Sequence, residues 1–156
     1  MANTQAMCAS FKGQLFNGFH QFGSPTIVSR TSLTTPTADT FFIALYLVSA
    51  SHGVGDTIYA VTGETSGTGY TAGGKTTGAW AAPSDNGTSG FTTPSASVAW
   101  TGLTLATATD GALIYNSTQG NKAVSVHNFG STTITAGTLT LTMPANAAGT
   151  ALLQVT

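Results

Sequence analysis

Charge is what this chain has least of. Four residues are Lys or Arg and five are Asp or Glu, 6% of 156 positions, where about 25% is usual. The cations Lys12, Arg30, Lys75 and Lys122 are scattered, so they form no basic patch, and nucleic acid is not an expected partner. Calcium loops need a dense acidic run, and none occurs. Cys8 is the only cysteine, which rules out an internal disulfide. No apolar run reaches membrane length, and polar residues and glycines interrupt Met7–Phe22. The sequence therefore predicts neither a membrane partner nor a signal peptide.

Thr, Ser, Gly and Ala fill the space that charge would take. The hydrophobic share, 41%, is that of a folded chain. A chain of this length reads as one domain that buries roughly 70% of its unfolded surface. With a net charge of −1, electrostatic repulsion does little to keep copies apart. Few charges also mean little desolvation cost when surfaces meet, which suits a protein packed among neighbours.

Period-two alternation dominates from Asp110 to Thr156. Gly111–Asn116 and Lys122–Phe129 read as strands around a turn at Gly120-Asn121. Thr138, Thr140 and Thr142 alternate with Leu139, Leu141 and Met143 until Pro144, and Ala151, Leu153 and Val155 close the chain. Such strands have one wet face and one that needs a second layer. Thr40–Val48 is apolar on both faces and reads as a central strand. Shorter strands are predicted at Thr57–Thr62, Gly74–Ala81 and Ala96–Leu105, the last bent at Gly102. The expectation is mainly β: an antiparallel β-sandwich or jelly roll of eight to ten short strands in residues 40–156.

Before it, residues 1–23 predict one N-terminal amphipathic helix. Met7, Phe11, Leu15, Phe19 and Phe22 form its apolar stripe, with Asn3 or Thr4 as cap and Gly23 as stop. Gly13 and Gly18 make it marginal alone, so its stripe must dock on its own sheet or on a partner. Residues 24–39 lie between, bounded by Pro25 and Pro36, and read as an extended arm or long loop.

Reactive groups are sparse. Asp39, Asp56, Glu64, Asp85 and Asp110 fall in predicted loops or strand ends without local pairing, whereas glycosidase chemistry needs two facing carboxylates. His20, His52 and His127 show no metal-ligand spacing. Cys8 reads as a small buried hydrophobe. Gly63–Gly74 lacks the spacing of a phosphate loop and reads as a meander between strands, anchored by Tyr70. Trp80, Trp100 and the tyrosines read as core, with a sugar-binding platform as the other possibility. No catalytic residue, cofactor or metal is expected.

The runs Thr62–Gly74 (TGETSGTGYTAGG) and Gly111–Asn116 (GALIYN), with Ser10–Lys12, Gly18–His20, Ile43–Tyr46, Asn121–Ala123 and Phe129–Gly130, give the chain its one resemblance. In this order they resemble a widespread family of small virion proteins of tailed bacteriophages. That resemblance implies a particle component similar to jelly-roll capsid cement (decoration) proteins. It implies a non-enzymatic protein made in the bacterial host cytoplasm that binds the outside of the phage head, with the major capsid protein and a second copy of itself as partners. The expected partner-contact residues are Phe11, Leu15 and Phe19 on the helix stripe and Ile27, Val28 and Leu33 on the arm. The alternative is a tail or fibre component that recognises a host glycan through Trp80, Trp100 or Tyr70.

Overall fold

In a computed structural model of the chain, residues 3–8, 11, 15, 20, 22–23 and 37–156 are described. They build two antiparallel sheets from eight strands: β1 (Ala6–Met7), β2 (Phe41–Leu47), β3 (Lys75–Thr76), β4 (Ser84–Asp85), β5 (Gly90–Thr92), β6 (Val98–Asn116), β7 (Lys122–Leu141) and β8 (Leu153–Val155). The larger sheet runs β1-β7-β6-β2-β3 and the smaller β4-β5-β8.

One hairpin supplies most of the larger sheet. β6 and β7 are 19 and 20 residues long, paired from Asn116↔Lys122 at the turn to Val98↔Leu141 at the far end. The turn is where the sequence places it. Gly120 and Asn121 have φ of 66° and 61°, a left-handed pair that glycine and asparagine tolerate best. Asn116 ties the loop down, its Oδ1 accepting from the Gln119 amide at 3.1 Å. β2 lies along the other side of β6 in the register Phe41↔Asn116 to Tyr46↔Gly111. Phe41, Ile43, Ala44, Leu45 and Tyr46 are all buried, as expected for a central strand with two apolar faces. Each large side chain among them contributes about 1.5–3 kcal/mol of burial.

The sequence divides the hairpin differently. Gly111–Asn116, Lys122–Phe129, Thr138–Met143 and Ala96–Leu105 read as separate short strands, yet all lie in β6 and β7 or at their ends. The bend expected at Gly102 is present, and such irregularities kink the strands without ending them. Gly102 (φ 62°), Gly130 (φ 86°) and Ala136 (φ 47°) accompany register shifts between Trp100 and Gly111, and the ladder continues past them. Thr57–Thr62 is not a strand: Ile58 makes a single bridge to Lys122. Gly74–Ala81 shrinks to β3 and a Trp80↔Pro94 bridge.

The predicted helix start is also corrected. Ala6 and Met7 are not helical but pair with Val126 and Ser125 as β1, and the Cys8 amide donates to the Val124 carbonyl at 3.0 Å. Pairing with β7 satisfies these backbone groups better than a glycine-weakened helix end would. The rest of that helix lies largely outside the described residues, as does the arm at 24–36. Phe11, His20 and Phe22 are described and cover the domain's own core. Phe22 stacks on Phe41 with ring centroids 4.5 Å apart and meets Trp80 edge-on at 4.7 Å.

Gly74 shows how closely the loops approach the sheet. At φ +76°, a Cβ on it would land on the Ile43 carbonyl oxygen. Gly78 has a similar φ, +72°, with open space around it. Urea unfolding should separate the two effects: Gly74→Ala is expected to cost about 3 kcal/mol or more from overpacking plus strain, Gly78→Ala only about 1 kcal/mol from strain.

Candidate functional site

The most connected polar group is Glu64. Residues 63–65 lie beside β2: the Leu47 amide donates to Gly63 and the Thr65 amide to Leu45, both at 2.9 Å. That places the Glu64 carboxylate inside the glycine-rich loop. It accepts from the Tyr59 hydroxyl at 2.7 Å, the Tyr70 hydroxyl at 2.6 Å and the Gly73 amide at 2.7 Å. Tyr70 Oη in turn accepts from the Leu45 amide at 2.9 Å, so the expected Tyr70 anchor is present. Tyr115 donates to the Gly73 carbonyl at 2.8 Å and stacks on Tyr59 with centroids 4.6 Å apart. Tyr46 donates to the Ala60 carbonyl at 2.6 Å.

All four tyrosines thus hold segment 57–74 to β2 and β6. Burial, then the nearby Glu64 charge, holds the phenols of Tyr46, Tyr59, Tyr70 and Tyr115 above the usual range. All four remain donors, and the bonds of Tyr59 and Tyr70 to Glu64 are charge-assisted. The arrangement braces a loop.

The other acids are used one by one. Asp110 accepts from Asn3 and from Asn128, the latter at 3.2 Å, and Asn3 also donates to the Leu47 carbonyl at 3.1 Å. Asp39 accepts from Asn116 at 2.7 Å and Gln119 at 3.3 Å. Asp85 caps its own turn through the Gly87 amide at 3.1 Å. Asp56 pairs with His52 Nδ1 at 3.1 Å and takes the Gly53 amide at 2.9 Å. Reading Asp56 as without local pairing missed this contact with His52 four residues back, because the turn at Gly53 brings the two together. Among the described residues, no group of three or more His, Cys, Asp or Glu converges as a metal site would require.

His20 and His127 are both pushed down to about 4, mainly by burial. His20 Nδ1 lies 3.0 Å from Asn116 Nδ2, which makes the ring nitrogen the acceptor. His127 Nε2 lies 2.9 Å from Ser125 Oγ. Cys8 is fully buried, and burial pushes its thiol up to about 12. It is a small core residue, as its position suggests.

Of the expected partner-contact residues, Phe11 is 2% exposed and meets His20 edge-on with centroids 4.8 Å apart, so its side chain is engaged within the chain. Leu15 is half-buried and lines an apolar groove with Phe22, Phe91 and Leu153. Phe19, Ile27, Val28 and Leu33 lie outside the described residues. Trp80 and Trp100 are 6% and 1% exposed, and half-buried Tyr70 is held by Glu64; these three form no open sugar platform. The sequence reading also missed the large aliphatics most open to solvent in loop 51–62, Val54, Ile58 and Val61. The alternation that marks strands carries no information about a loop.

Compared with models of protein families, with curated proteins and with solved structures, the chain matches none.

Two outcomes are expected. Glu64→Gln, which removes the charge from three short bonds, should lower unfolding stability by about 2–3 kcal/mol, and Tyr70→Phe by about 1–2 kcal/mol. The histidines set an acid dependence. Their folded values near 4 lie below the unfolded value of about 6.5, so the unfolded chain binds more protons in between. Stability is complete above about pH 6.5 and falls toward pH 4, by up to about 3 kcal/mol for buried His20 and by less for half-buried His127. Chemical denaturation across that window should show a shallower slope for His20→Gln and a nearly flat one when His127→Gln is added.

Proposed function

We propose that this protein is a structural component of a bacteriophage particle: a cement (decoration) protein that binds the outer surface of the head and bridges neighbouring major capsid subunits. In this reading the two sheets form a jelly-roll type of sandwich, and the protein acts as a dimer with no enzymatic activity or cofactor. The observation that carries it is the surface of the long hairpin. From Ala123 to the C-terminus no residue is Asp, Glu, Lys or Arg, and the exposed positions of the far half of β7 are mostly threonine. A hydroxyl-covered surface without charges loses little on desolvation when pressed between identical neighbours. The motif resemblance in Thr62–Gly74 and Gly111–Asn116 points the same way.

The mechanism is mechanical. Each copy holds two or more shell subunits and resists their separation. Single contacts can be weak, because attachment at one makes the next intramolecular. Leu15 beside its groove and the arm at 24–39 are the proposed bridging parts, with Val54, Ile58 and Val61 as a second apolar contact. The glycan-binding alternative has lost its aromatic platform, and no other feature favours it.

A quantitative gel of purified particles tests the placement. Hundreds of copies per particle fit a shell protein, whereas a dozen or fewer would move it to the tail. Attachment should change less than about twofold between roughly 0.05 and 0.5 M NaCl, since few ion pairs can take part; complete release would contradict the mechanism. Deleting Ile27–Thr35 should lower occupancy on the shell and leave the melting transition in place.

A further inference from the structure

Among the described residues, the outer edge of β7 has a neighbour at only one end. β1 covers Ser125 and Val126, and beyond them no strand among the described residues pairs with that side. The far segment, Thr138–Thr142, is the most regular part of the free edge. Leu139, Thr140 and Leu141 face Trp100, Ala99 and Val98 of β6 in unbroken register. Free edges are usually blunted by charge, proline or short length. Here the nearest proline is Pro144, and no charged residue follows Lys122.

The segment reads Thr-Leu-Thr-Leu-Thr, the same in both directions. Two antiparallel copies centred on Thr140 place Thr138 opposite Thr142, Leu139 opposite Leu141, and Thr140 opposite itself. Threonine–threonine and aliphatic pairs across strands are favourable, and like charges, the usual penalty for self-pairing, are absent. The threonines are exposed and the two leucines half-buried, so a second copy extends one wet face and covers one apolar face. A partner chosen by charge finds nothing to read on this edge.

We propose that two copies of the chain associate through antiparallel pairing of Thr138–Thr142, joining their larger sheets across a two-fold axis at Thr140. This deepens the proposed dimer by naming its surface, and it rests on that self-association rather than on attachment to a shell.

Sedimentation of the full chain over a wide concentration range tests it. The wild type should pass from the 15.7 kDa chain mass to twice that value. Thr140→Lys and Thr140→Glu each put like charges at the axis and should associate at least tenfold more weakly. An equimolar mixture of the two should recover the doubled mass. A wild type that stays at the single-chain mass at every concentration, or charge variants that associate as well as it does, would overturn the pairing. Should the variants fail to fold, amide exchange on the wild type decides: protection at 138–142 must rise with concentration, and concentration-independent exchange there refutes the proposal. A dimeric protein absent from phage heads would sink the cement reading alone.

Discussion

Backbone pairing on both sides of β6 is the constraint from which the rest of the structure follows. β7 runs along one side for the whole length of the strand. The other side is shared: β2 takes Thr109 to Asn116, and the glycine-rich loop takes the far part through the Thr68↔Thr104 bridge and a Thr104 amide to Thr68 carbonyl bond of 2.9 Å. Paired by β7 and, from Thr109 onward, by β2 as well, β6 buries Trp100, Leu103, Leu105, Leu113 and Ile114 with much of its backbone satisfied. Everything else is positioned by what it adds to this strand or to its neighbours.

The carboxylates are spent on holding loops in place. Glu64 gathers Tyr59 and Tyr70, Asp110 fastens Asn3, and Asp39 joins Asn116 to Gln119. A buried or half-buried carboxylate needs several donors to offset its lost hydration, and each has at least two. The exterior is left mainly to hydroxyl and small side chains. The scarcity of charge in the sequence and the character of the surface are therefore one fact, seen once in composition and once in space.

Much of the architecture was legible in the chain. Thr40–Val48 announced a central strand by being apolar on both faces, Gly120-Asn121 marked the hairpin turn, and Tyr70 was recognisable as the loop's anchor. The bend at Gly102 was legible too, but strand lengths were not, because a glycine such as Gly130 looks the same in sequence whether it reverses a strand or merely kinks it; the partner strand decides. The pairing of Ala6 and Met7 with β7 was hidden for a related reason: β1 is only two residues long, too short for any periodicity. The Glu64 hub escaped notice because its donors, Tyr59, Tyr70 and Gly73, converge only once the loop has closed. For the same reason Asp56 and His52 looked separate until the turn at Gly53 joined them.

Cys8 carries a practical consequence. Its sulfur is sealed within the fold beside Gly53 and its proton is hard to remove, so the intact molecule presents no thiolate to an alkylating reagent. It is also the chain's only thiol, and its neighbour on the N-terminal side is Met7 of β1. Lifting β1 from β7, or moving the loop at Gly53, would uncover it. Alkylation kinetics at this one atom therefore time the opening of the fold around Cys8, with no engineered label required.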